Sequence, residues 1–244
     1  MTVSTSTSPH GHTPASGSRA AGWFGPVVAL ATSGMTLLTF VLALTALPDR
    51  VPYPFTDPTI LAQWPGDYYW MFPAMALMVL FVAFVAVLNH RAPADRKVFG
   101  TLALTLAGVA AAVLLIDYYV QATVLPLSLE RGELEGYALF TQYNPHGVFI
   151  ALEELGYLLM SLVFLALVPT LSRTSRAEAV ARWIFAAAAG AVAGSLVVVT
   201  LIRGRDRADS FEIIVISIVW LTLIVTGPLL ARAMRRDRSA APAA

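Results

Sequence analysis

Carboxylates standing inside long apolar runs are the residues of this sequence best suited to do chemistry. Asp117 ends an uninterrupted small and aliphatic stretch that begins at Leu106, and Glu153 and Glu154 break an apolar run that begins at Val148. An ionised carboxylate in hydrocarbon costs about 2.5 kcal/mol or more on insertion scales, so such groups face a bundle interior or water. A carboxyl in an apolar cavity also keeps its proton more readily, which suits it to general acid and base work.

Helical spacing assigns these groups to faces. Asn144 suits an N-cap and Pro145 a first helical position, where a missing N–H costs nothing. The 100° step then puts His146, Glu153, Tyr157 and Met160 on one stripe, with Glu154 on another beside Gly147, Ala151 and Ser161. Asp117 and Gln121 share a face at i, i+4. Glu153 lies eight residues past Pro145, roughly 12 Å along a helix, and Asp117 sits at roughly 10 Å depth on its own helix. Asp117 and Glu153 are therefore expected to line one cavity as catalytic acid and base. His146 stands at its mouth, and Tyr118, Gln121, Asn144, Glu154 and Tyr157 supply further polar contacts. Two carboxyls sharing such a cavity could not both ionise easily, so one would hold a proton near neutral pH. The competing reading is purely structural, with the acids bonding tyrosines or amides across helices to pin the packing.

Two polar groups near the sixth hydrophobic segment have alternative readings. Asp209 with Glu212 three residues on resembles a capping box, and Glu212 otherwise joins the binding site. Arg203 reads as a snorkelling interfacial arginine, or else as the counter-ion of the acids.

The elements that must position these residues are transmembrane helices. Apolar runs of the length needed to cross hydrocarbon recur at Gly22–Leu47, Tyr68–Asn89, Val98–Val124, Val148–Leu171, Trp183–Ile202 and Phe211–Ala231. With 57% hydrophobic and 13% charged residues, the chain departs far from a soluble domain. The expected fold is an all-α bundle of six membrane-spanning helices over 22–232, between a disordered tail (1–21) and a short basic tail (233–244). Residues Pro126 to Tyr143 mix apolar and acidic residues as a helix lying on the membrane surface would. Tyr residues and Trp64, Trp70 and Trp183 suit an aromatic belt, and Gly190 with Gly194 suits a packing surface.

Lysines and arginines set the orientation. Eleven fall on the side of the two termini and five on the other, which places both termini in the cytoplasm and the acids towards the outer face of a bacterial plasma membrane.

Several chemistries drop out. Net charge +1 leaves no broad basic face for nucleic acid, and the absence of cysteine removes thiolate catalysis and disulfides. His10, His12 and His90 stand far from the acids, so neither a metal nor another cofactor is expected. Neither a phosphate-binding G-x-x-x-x-G-K-[ST] loop nor a G-x-S-x-G elbow is present.

The segments Asp117-Tyr118-Tyr119-Val120-Gln121, Tyr143-Asn144-Pro145-His146-Gly147 and Leu152-Glu153-Glu154-Leu155-Gly156-Tyr157 resemble a family of uncharacterised bacterial integral membrane proteins. The resemblance implies six helices and carries no activity. Three functional classes stand: a site for a lipophilic or small organic molecule served by Asp117 and Glu153, a proton-coupled carrier, and a non-catalytic accessory protein. Membrane lipid is the expected partner in each, and the bundle could also self-associate.

Overall fold

The computed structural model describes residues 17–46, 51, 53, 55, 60, 64–172 and 175–240. Its regular structure among these residues is helical, with no strand. Six long helices form the body: α1 (Gly17–Thr45), α2 (Met71–Arg91), α3 (Lys97–Thr123), α5 (Val148–Leu167), α6 (Arg176–Arg203) and α7 (Ala208–Ala240), with a short α4 (Leu125–Glu130) after α3. Each long helix contains a stretch long and apolar enough to cross a membrane, and the chain is an integral membrane protein.

Every expected hydrophobic span falls on one of these helices. Their ends differ where apolarity is a poor guide. α1 begins at Gly17 and α7 continues to Ala240, so parts of both expected tails are helical. Residues 1–16 and 241–244 lie outside the described residues. The stretch 126–143 is not one surface helix. After α4 it breaks at Gly132 and Gly136, both at positive φ, and makes a single 3-10 turn at Tyr137–Leu139. Its aromatic residues Tyr137 and Tyr143 fold inward onto Leu125 and Phe149, which a flat helix would prevent.

α5 is the central element, packed on α3, α6 and α7, while α1 closes the bundle between α2 and α7. Burial ranks them in the same way: 56% of the most apolar window of α5 is buried, against 17% for α6. The core is a continuous aliphatic and aromatic cluster in which Phe81 of α2 meets Phe164 of α5 edge-on and Phe164 stacks on Phe185 of α6.

Glycine sets two close approaches. A Cβ on Gly156 of α5 would clash with Leu114 Cγ, so this glycine lets α3 and α5 touch one turn from the acids. A Cβ on Gly227 of α7 would meet the Ala29 carbonyl of α1 at 2.6 Å. The next residue, Pro228, cannot bond the Ile224 carbonyl, and Ser33 Oγ of α1 donates to that carbonyl at 2.8 Å. Gly190 and Gly194, by contrast, have nothing within 4 Å of an added Cβ. The expected packing surface therefore meets none of the described residues, because α6 turns that face outward.

Candidate functional site

The end of the bundle that carries the 124–147 connection and the α6–α7 turn holds the acids. Asp117 of α3 is fully buried, and Gln121 one turn on, also fully buried, donates from Nε2 to Asp117 Oδ1 at 3.3 Å. Glu153 of α5 is 4% exposed. Its carboxyl lies within interaction range of Asp117 and also of Glu212 on α7. Carboxyls from three helices thus face one another, and no basic side chain of the described residues acts on Asp117 or Glu153. Asp117 Oδ2 and Gln121 Oε1 are buried without a hydrogen-bond partner among the described residues. Burial grades inward, with Glu212 partly exposed, Glu153 nearly enclosed and Asp117 enclosed.

Aromatic rings wall the cluster. The hydroxyls of Tyr118 (α3) and Tyr157 (α5) are 2.9 Å apart, and both feel the charges of Asp117 and Glu153. Trp70 packs edge-on to Tyr118 at 5.1 Å and to Trp220 at 6.0 Å, and Trp220 packs on Tyr157 at 6.0 Å. Trp70 and Trp220 are buried, so Trp70, Tyr68, Tyr118 and Tyr157 belong to the core rather than to an interfacial belt. Trp183, Tyr69 and Tyr119 are exposed, as a belt requires.

The expected site residues separate into two groups. Asp117, Gln121, Glu153, Tyr118 and Tyr157 come together as the helical stripes imply. Glu212 lies within range of Glu153 and Asp117, and α7 already begins at Ala208, so Asp209 falls within its first turn rather than ahead of it. The others stand apart. Helix α5 starts at Val148 with Gly147 as its N-cap residue, not Asn144. Asn144 instead ties down the preceding turn, accepting from the His146 N–H at 3.0 Å and donating to the Ala138 carbonyl at 2.5 Å. His146 therefore lies ahead of the helix, off the Glu153 stripe. It is 59% exposed and pairs with Asp206 at 3.3 Å. Arg203 ends α6 exposed, and pairs with no acid among the described residues. The arginine that meets an acid is Arg207, ion-paired with the buried Glu154 and stacked 5.5 Å over Phe211. Glu154 is thereby neutralised from a separate face of α5, whereas neither Asp117 nor Glu153 has an ion-pair partner among the described residues.

A second polar network lies beside the cluster, outside the helices. Tyr143 donates to Asp67 Oδ2 at 2.9 Å, and the Thr141 hydroxyl bonds the Tyr137 hydroxyl at 3.0 Å. Burial, then the neighbouring Tyr68 and Asp67, pushes the Tyr143 phenol above its ordinary value, so it remains a neutral donor. Among the described residues no three His, Cys, Asp or Glu side chains, the three carboxyls included, are placed so that they could hold one metal ion. Compared with known proteins, the chain matches no family model, no curated protein and no solved structure.

Proposed function

We propose that this membrane protein binds a small organic molecule within the bundle, at the cluster of Asp117, Glu153 and Glu212, and that these carboxyls exchange protons with it. The observation that supports this most is the burial of Asp117 and Glu153 on facing helices, with Glu212 of a third helix in range, beside two buried acceptor atoms, Asp117 Oδ2 and Gln121 Oε1, that lack donors among the described residues. Unpartnered acceptors in an apolar interior cost roughly 1–3 kcal/mol each, and a ligand carrying hydrogen-bond donors offsets that cost. The aromatic faces of Trp70, Tyr118, Tyr157 and Trp220 supply the apolar wall of such a site. Entry is from the partly exposed Glu212 side.

A site open at one end fits the polar pattern better than a proton path across the membrane. Around the middle of the bundle the buried hydroxyls of Thr32, Thr36, Thr222 and Thr226 donate to carbonyls of their own helices. That leaves little for a relay to use. Both termini are assigned to the cytoplasm of a bacterial plasma membrane, on the eleven-to-five bias in basic residues.

The test is extraction. Wild-type protein and an Asp117→Asn, Glu153→Gln variant are purified in parallel, and the organic extract of each is read by mass spectrometry. A molecule retained by the wild type and absent from the equally folded variant is expected. Identical extracts contradict the proposal.

A further inference from the structure

The opposite end of the bundle carries an open groove between α1 and α7, of about 360 Å³. Leu30, Pro228 and Ala231 line its apolar part, and Arg232, Arg235 and Arg236 with Ser239 line its polar part. The spacing of the three arginines, at i, i+3 and i+4 on one helix, turns them towards one side. All three are exposed, and none forms an ion pair among the described residues. The nearby acids are committed elsewhere: Asp237 bonds Arg91 at 2.5 Å, and Glu178 bonds the same arginine and the Ser172 N–H. The groove is thus apolar towards the middle of the bundle and cationic towards its end, within helices long and apolar enough to span a membrane.

Ordinary snorkelling would need only exposed guanidiniums. Here they surround a concavity with an apolar wall, and that wall is fixed by the α1–α7 contact itself. Gly227 holds the two helices together, Ser33 satisfies the carbonyl freed by Pro228, and Gly25 packs against Met234. We propose that the groove is a binding site for an anionic phospholipid of the surrounding bilayer. Its phosphate engages Arg232, Arg235 and Arg236, since guanidinium forks match phosphate oxygens in pairs, and an acyl chain lies on Leu30, Pro228 and Ala231.

The test uses the full chain in detergent micelles doped with equimolar phosphatidylglycerol and phosphatidylcholine, with retained lipid read by native mass spectrometry. The wild type should retain phosphatidylglycerol in preference to phosphatidylcholine. Each neutralised arginine should weaken that retention about fivefold, so Arg232→Gln, Arg235→Gln and Arg236→Gln together should weaken it roughly a hundredfold. Arg176→Gln with Arg182→Gln, which removes charge outside the groove, should leave the preference in place. Leu30→Trp keeps every charge and fills the apolar part, so it should reduce retention if the acyl chain is seated there. Inorganic phosphate should not displace the lipid. Equal retention of the two lipids by the wild type, unchanged retention in Leu30→Trp, or displacement by phosphate would each overturn the assignment.

Discussion

The two ends of the bundle treat charge in opposite ways. At the arginine end, charges are paired, mostly near the surface, and join helices: Arg91 of α2 bonds the buried Glu178 of α6 and the exposed Asp237 of α7. Arg96 donates to the Pro169 carbonyl at 3.0 Å, and Lys97 donates to the Asn89 carbonyl at 2.6 Å. At the acid end, Asp117 and Glu153 are withdrawn from water, with a third carboxyl rather than a cation as neighbour. The first arrangement holds helices in place at little desolvation cost. The second costs stability, and a chain that needed only to pack would do better with apolar residues at those positions. Within the acid end the same contrast recurs on one helix, since Glu154 has Arg207 and Glu153 has none.

The sharpest way to break that contrast is to remove the cation from the paired acid. Arg207→Gln leaves Glu154 buried and alone, and should cost about 2–4 kcal/mol of stability, measured by denaturant unfolding in micelles. Arg203→Gln, four residues earlier and exposed, should stay within about 0.5 kcal/mol. Equal losses would mean that Glu154 does not depend on Arg207. Gly156→Ala comes next. It forces Leu114 aside at the α3–α5 contact, should cost about 1–3 kcal/mol, and should also reduce retention of the extracted molecule by moving Asp117 from Glu153. A stable variant with full retention would show that this contact does not set the spacing of the acids.

At the arginine end, Arg91→Gln leaves Glu178, whose side chain is as buried as that of Glu154, with the Ser172 N–H as its remaining partner among the described residues, and should cost about 1–2 kcal/mol, less than Arg207→Gln because that bond stays. A loss matching that of Arg207→Gln would erase the distinction between the ends. The smallest effect belongs to His146→Asn, below about 0.5 kcal/mol, because the His146–Asp206 pair is exposed on both sides. Retention of the extracted molecule should be unchanged in that variant, and a clear drop would return His146 to the site.

Periodicity made much of this legible. The six helices follow from apolar runs, and the face shared by Glu153 and Tyr157 and that shared by Asp117 and Gln121 follow from the 3.6-residue repeat. What was hidden depends on partners distant in sequence. The Asp209-x-x-Glu212 spacing imitates a local cap, and only the packing of α7 on α5 shows Glu212 turned to the acids. Arg203 and Arg207 are equivalent as letters; the turn at Gly204, with φ at 60°, separates an exposed helix end from a residue that reaches Glu154. Trp70 and Tyr118 sit at positions that composition assigns to the interface, but rings from α3, α5 and α7 pack together with Trp70 and bury both. Ser33 and Pro228 lie far apart in sequence, so no local pattern could join them. The Asn144-Pro145 signal for a helix start was misleading, because the asparagine bonds a nearer N–H and delays the helix to Val148.

The central claim, that acids from three helices form one cluster, can be measured directly because the chain contains no cysteine. Cysteines are placed in pairs at Asp117 with Glu153, at Glu153 with Glu212, and as a control at Tyr119 with Glu153, since Tyr119 is 60% exposed on another face of α3. The full chain in native membranes is then treated with a short thiol-to-thiol cross-linker and read by mass spectrometry. The account predicts rapid linkage of both acid pairs and none in the control. Linkage of the control as fast as the acid pairs, or no linkage between positions 117 and 153, would contradict it.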